Sequence, residues 1–433
     1  MSINQYDWAG NSAILLPHSI VKHNIIEDYL KIYFEISSRN PNQERLNLTL
    51  IDGFAGGGLY THKETNNEAL GSPFILLEAV AEAQIKIDLY RKSNNMKRLI
   101  LDVNFIFVDK SREAIKQLEA NLRLRGYSER INKSIFLVCD FFHQQSQKII
   151  GLVKKRTPQS GRSIFILDQY GYKDVPRSVI NNIFYSLPKA EIILTFNIDS
   201  ILNFISKSKD LNVSISKLLK KTEFIVPPTL ADLTLKDIKN NEYNWRFFLQ
   251  SVLYQGITSQ CNAKYYTPFF IKNPKGHGAY WLIHMSQHPT ARDAMTEVHW
   301  TKSNNYCHYG GSGIDMYNIQ GFDPRLDEYY NNQRSFNFTD NDKQESQSIL
   351  MEQLPKFICD ELDGKEIPFE DLYEKLCNTT PATQTIIKNA LLTLINYKEI
   401  EVTSSSGSKR RSQITPSDII KFPSQSTIFL MGQ

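Results

Sequence analysis

No two of the five cysteines (Cys139, Cys261, Cys307, Cys359 and Cys377) stand at CxxC spacing, and their number is odd. Neither a zinc site nor a disulfide framework is indicated, and no metal is expected. Free thiols fit a reducing cytoplasm. Cys139, in an apolar run, is expected to be a small buried strand residue rather than a nucleophile. Residues 1–10 lack the basic stretch and apolar core of a secretory signal. No apolar run reaches the roughly 18 residues of a membrane span. A cytoplasmic protein without membrane association is therefore expected. Net charge is also scarce: 50 Lys and Arg stand against 46 Asp and Glu, a formal +4. That balance does not by itself point to nucleic acid, so any basic footprint must be local.

What is present suits packed domains. Hydrophobic residues make up 41% of the 433 positions and charged residues 22%, enough for two or three cores of about 150 residues each. Apolar runs at 46–51, 103–108, 134–138, 163–167 and 191–196 show little polar alternation, as strands covered on both faces do. Helical patterns at 72–90, 111–125, 142–155 and 175–187 lie between them, and an amphipathic segment, 19–36, precedes the first strand. This alternation predicts an α/β fold: a doubly wound, mostly parallel Rossmann-like sheet. Runs 264–271 and 279–285 read as a late hairpin closing the sheet edge. Residues 206–260 break the pattern and read as an inserted, partly helical segment. A first domain over 1–340 and a second over 341–433 are expected.

The loop after the first strand is Asp52-Gly53-Phe54-Ala55-Gly56-Gly57-Gly58. Glycines there let backbone turn sharply and approach a ligand, and ligands in such sheets bind at the carboxyl ends of strands. No Walker pattern is present, and the final glycine of G-x-G-x-x-G is missing, which opposes a nucleotide-dependent dehydrogenase. The second strand ends in Asp109, placed to accept ribose hydroxyls. The third ends in Asp140-Phe141, a carboxylate for an adenine amino group and a ring to lie on the base. The fourth ends in Asp168-Gln169-Tyr170-Gly171. The bland alternative is that each Asp caps the following helix.

These motifs, with Lys22-His23, Tyr29-Leu30, Gly71-Ser72-Pro73, His284-Met285-Ser286 and 291–295, make the chain resemble the three-Cys-motif partner family of bacterial proteins over nearly its whole length. The resemblance implies a class I methyltransferase-like core binding S-adenosylmethionine and a separate cysteine-motif protein as partner. Under it, Asp52, Gly53, Phe54, Ala55, Gly56, Gly58, Asp109, Asp140 and Phe141 would hold the cofactor, and Asp168 and Tyr170 the acceptor. Two departures stand out. The step from Asp52 to Asp109 is long, so an insertion or lengthened helix must absorb it. Gln169 stands where the related motif has proline, which removes a rigid turn.

His284, His288 and His299 lack metal-ligand spacing and are read as packing or surface residues. From 367 onward the chain reads helix, helix, hairpin, with a second helix over 380–396, a strand over 399–403, and a return strand beginning at Gln413-Ile414. This resembles a winged helix. Thr383 and Gln384 at the helix start, and Lys409, Arg410 and Arg411 on the wing, would contact nucleic acid; the alternative is a protein-docking winged helix. The leading expectation is an S-adenosylmethionine-dependent methyltransferase acting on or near nucleic acid. The alternative is a non-catalytic cofactor-sensing or scaffold protein that recruits the cysteine-motif partner.

Overall fold

The computed structural model describes residues 8, 13–62, 65–169, 174–197, 223, 256–271, 280–301, 313–314, 339–361, 366–410 and 412–423. The insertion expected over 206–260 lies almost wholly outside them, as do Tyr170 and Arg411. The chain divides into two compact units, Met1–His299 with Asn305–Cys307, and Trp300–Asn304 with His308–Gln433.

The first unit is built on seven strands: β2 (Arg45–Asp52), β5 (Ile100–Asp109), β6 (Ile135–Cys139), β7 (Ser163–Leu167), β8 (Ala190–Asn197), β9 (Tyr265–Ile271) and β10 (Tyr280–Ser286). Their order is β6-β5-β2-β7-β8-β10-β9. The first five are parallel, and β10 runs antiparallel to both β8 and β9. This is a doubly wound class I methyltransferase-like sheet. Every residue of β7 is buried, as in a strand covered on both faces. The late hairpin occupies the sheet edge, as its pattern suggested.

Helix α1 (Pro17–Ser37) precedes β2, and α2 (Ser72–Ser93), α3 (Arg112–Leu124), α4 (Phe142–Arg156) and α5 (Arg177–Ser186) link the parallel strands. The long step from Asp52 to Asp109 is taken up twice. Strands β3 (Leu59–His62) and β4 (Glu68–Leu70) form a hairpin that β1 (Ile14–Leu15) extends, and α2 runs for 22 residues. Ser111 caps α3 through its hydroxyl, which accepts from the Ala114 amide at 3.1 Å. Cys139 corrects an expectation: as the last residue of β6 it is exposed, because the strand ends where the chain leaves the layer. Helix α6 (Pro289–Thr301) follows β10.

In the second unit, α7 (Asp340–Glu361) precedes β11 (Ile367–Pro368), α8 (Phe369–Leu376), α9 (Gln384–Asn396), β12 (Glu401–Thr403) and β13 (Ile419–Lys421). The three strands order β11-β13-β12. Ile386, Ile387, Ala390, Leu391 and Leu394 bury one face of α9. That is a winged helix. Its return strand is β13 rather than residues 413–414. The intervening chain turns where Asp418 accepts from the Thr415 amide at 2.8 Å. The recognition-type helix begins at Gln384, four residues later than expected, because Thr383 accepts from Ile386 N–H and caps it.

Among the described residues, no helix is long and apolar enough to cross a membrane.

Candidate cofactor edge and winged helix

Strand order reverses at β2, between β5 and β7, so the carboxyl ends of β2 and β7 flank the switch point where open α/β sheets bind ligands. Asp52 ends β2, and Asp168 directly follows β7. Asp109 ends β5, and Asp140 follows β6. The fold thus brings four carboxylates to one edge.

The glycine loop is braced by its own protein. The Gly53 amide donates to Ile166 carbonyl oxygen, Phe54 to the Asp52 carboxylate, Ala55 to Val108 carbonyl oxygen and Gly56 to the Asp109 carboxylate, at 2.9–3.0 Å. Four amides are therefore occupied, unlike the open nest that cradles a phosphate. Gly56 and Gly58 adopt φ of +61° and +80°, where a side chain would be strained. A Cβ on Gly58 would also come within 2.7 Å of Leu118 and 2.8 Å of Phe74. The Gly71-Ser72-Pro73 motif docks here: the Gly71 amide donates to Gly58 carbonyl oxygen at 2.7 Å, and the Ser72 side chain lies near enough to Asp52 to favour its charged form.

The four carboxylates differ. Asp52 is fully buried. Burial, with Asp168 and Asp109 nearby, lifts its carboxyl to about 7 against the Phe54 amide bond and the nearby Ser72 side chain. Asp109 accepts from Gly56 and, at 2.8 Å, from Ser111; its partial burial raises it above the ordinary value despite those bonds. Asp140 accepts from the Phe141 amide at 2.7 Å and the Gln145 side chain at 2.5 Å, and these bonds hold it low. Phe141 beside it is 43% exposed, with Lys110 Nζ 5.7 Å from its ring centre.

Asp168 does not cap a helix. Both its oxygens accept from Lys22 Nζ, at 2.7 and 2.6 Å. Burial pushes this carboxyl up, but Lys22 outweighs burial and it titrates below the ordinary range. His23, next along α1, is driven down to about 4 by burial and the Lys22 cation, so its imidazole is neutral at pH 7. Gln169 fills a different role from the missing proline. It is buried, and its Oε1 accepts from the Asp174 and Val175 amides at 3.0 and 3.2 Å. Lys22, His23 and Gln169 carry the geometry here, although residue chemistry alone assigned them no role.

Farther along α1, the Tyr29 hydroxyl donates to Glu191, whose carboxylate lies 3.1 Å from His284 Nε2. Tyr29 and His284 are fully buried. Two more of the motif fragments thus meet in one buried polar cluster, and His284 packs as expected.

On the wing, the two described basic side chains are already paired. Lys409 Nζ donates to Glu401 at 2.6 Å, and Arg410 donates through Nε and Nη2 to Asp418 at 3.0 and 3.1 Å. Thr383 is buried, with its hydroxyl turned to its own helix, and Gln384 is half-buried at the first helical position.

A family profile described as a GMT-like winged helix-turn-helix domain matches residues 321–407. No curated protein sequence matches the chain. Similar solved structures include protein LPL1258 of Legionella pneumophila, at 10% identity and TM-score 0.37, covering 69% of this chain and 94% of that one. A SAM-dependent methyltransferase from Agrobacterium tumefaciens follows at 14% identity and TM-score 0.28, with 64% of each chain covered. A Clostridium thermocellum protein described as an rRNA methylase shares 9% identity at TM-score 0.28, covering 63% of this chain and 98% of that one. At these scores the likenesses add nothing to the strand order itself. None of these names the three-Cys-motif partner family.

Proposed function

We propose that the chain is an S-adenosylmethionine-dependent methyltransferase acting on or near nucleic acid. The observation that carries this reading is the sign and shape of the carboxyl edge. Four carboxylates, with the Gly53 to Gly56 amides already paired, disfavour a pyrophosphate, which would bring more negative charge. They suit a neutral diol, an adenine ring and a cationic centre. Asp109 retains lone pairs for ribose hydroxyls after Gly56 and Ser111 are served. Asp140 would accept from the adenine amino group, and Phe141 offers an exposed ring face. Asp52, Gly53, Phe54, Ala55, Gly56 and Gly58 shape the loop beneath. The cofactor supplies, when bound, a methyl already activated on a sulfonium.

Asp168, kept ionised by Lys22, would accept a hydrogen bond from an exocyclic amine or orient a hydroxyl. Tyr170, outside the described residues, would stack an extruded base. The winged helix would hold the flanking strand through Gln384, Lys409, Arg410 and Arg411, with Thr383 setting the helix start.

One observation favours a second reading, a cofactor-sensing scaffold that recruits a cysteine-motif protein. Lys22 engages both oxygens of Asp168, which halves its capacity for an acceptor. Labelled-methyl transfer from S-adenosylmethionine onto fractionated cellular nucleic acids and proteins separates the two. Transfer lost in Asp168→Asn, with cofactor affinity retained by calorimetry, supports the enzyme. Saturable binding without transfer to any fraction supports the scaffold. No binding to the wild-type protein would overturn both.

A further inference from the structure

The sheet carries a cavity at its other end as well. At the amino edge, where β2 begins and α4 gives way to β7, a cavity of about 440 Å³ is lined by Arg45, Asn47, Arg156, Gln159, Ser160 and Arg162, among others. Strand β2 runs from this cavity at Arg45 to the cofactor edge at Asp52, seven residue steps of about 3.3 Å, or roughly 23 Å. The two sites are therefore separate.

The charge of the cavity is one-sided. Three guanidinium groups line it and, among the described residues, no carboxylate does. Asp102 approaches from beside it: Arg156 Nη2 donates to its backbone oxygen at 2.6 Å and to its carboxylate, and Arg45 lies 3.7 Å away. One carboxylate cannot neutralise two arginines, and Arg162 lies near the neutral Tyr33 hydroxyl. Two polar atoms of the lining are buried with no hydrogen-bond partner among the described residues: Asn47 Oδ1 and Arg156 Nε. Leaving such groups unmet costs free energy.

We propose that this cavity binds the phosphate of a nucleotide, free or at the end of a nucleic-acid strand. Planar guanidinium forks match phosphate oxygens in pairs. Asn47 and Gln159 each carry a donor and an acceptor, the pairing that a base edge requires. The volume lies in the range of small-molecule sites, roughly 300–1,000 Å³. The acidic edge at the other end of β2 repels the same ligand, so a phosphorylated nucleoside is sorted to this end. The proposal does not depend on methyl transfer.

Calorimetry on the full-length chain tests it with ATP, with adenosine, and with a short oligonucleotide bearing or lacking a 5′-phosphate. Arg45→Ala and Gln159→Glu are the variants; Arg45 is 63% exposed and Gln159 is exposed, so both proteins fold. Arg45→Ala should weaken the phosphorylated ligand about tenfold, the loss of one charge-assisted contact, and Gln159→Glu should weaken it about as much by setting a carboxylate beside the phosphate. Adenosine binding should not respond to Arg45→Ala. A response confined to ATP identifies a free nucleotide, and one confined to the phosphorylated oligonucleotide identifies a strand end. If neither ATP nor the phosphorylated oligonucleotide binds, or if their affinities are the same in both variants as in the wild type, the proposal is overturned.

Discussion

Lys22 Nζ donates to both carboxylate oxygens of Asp168, across 146 residues of chain. The lysine side chain is 5% exposed and the aspartate 30%. The first turns of α1 are thereby locked to the end of β7. Burial alone would favour a neutral Asp168; the ammonium keeps it charged.

Lys22→Met removes that cation without removing bulk. Asp168 then keeps its burial and loses its counter-charge, so its carboxyl rises. The wild-type pair contributes stability above the ordinary Asp range, near pH 4, and loses it as pH falls through the lowered folded value. The variant should unfold more easily at pH 7 by roughly 1–3 kcal/mol, reduced from fully buried cases by the partial exposure. Urea midpoints at about pH 7 and pH 3 measure the gap, which should narrow with acid. A gap of equal size at both pH values would refute the pairing.

Gln169→Ala strips the shared acceptor from two amides, Asp174 and Val175. Val175 is fully buried, so water does not replace the lost bond there. The expected cost is about 1–3 kcal/mol. Amide hydrogen exchange at 174 and 175 should accelerate selectively, and unchanged exchange at both would remove Gln169 from this role.

The five central strands were legible because a strand covered on both faces is a run of Leu, Ile, Val and Phe, as Ser163–Leu167 is. The glycine loop was legible because Gly56 and Gly58 need φ values that other residues avoid. The small β1-β3-β4 sheet was not, since its strands are two to four residues long and mostly half-exposed. Lys22 gave no local sign of its role, because its partner lies 146 positions away. Gln169 read as a lost proline, when its side chain makes the turn that a proline would stiffen. The pairing of Arg410 was hidden too, for it meets Asp418 only once the chain has turned back toward β13.

Asp52→Asn tests the buried carboxyl of the glycine loop. Its folded value, about 7, lies above the ordinary value near 4. Wild-type stability from this group is full below pH 4 and declines as pH rises through 7, where a buried charge must form. The amide variant carries no such penalty. Its stability relative to wild type should therefore improve between about pH 4 and pH 7, by up to about 4 kcal/mol for a shift of this size. Thermal or urea unfolding across that interval decides. A constant difference would mean that Asp52 stays ionised throughout.

The wing prediction turns on which basic group is free to move. Arg410 bonds Asp418, which is 1% exposed, so Arg410→Ala leaves a buried carboxylate unpaired and confounds binding with folding. Lys409 is different: it is 65% exposed and its partner Glu401 lies on β12. Surface pairs of this kind contribute little to stability, so they can be broken cleanly. Glu401→Gln releases Lys409 while keeping the strand. If the wing touches phosphate, this variant should bind duplex DNA more tightly, with a salt slope steeper by about 0.9 for each phosphate gained. Lys409→Ala should bind more weakly, with a shallower slope. Fluorescence anisotropy over a salt series measures all three proteins under one condition. Identical slopes for wild type, Glu401→Gln and Lys409→Ala would take the wing off the nucleic-acid surface and leave a protein-docking winged helix.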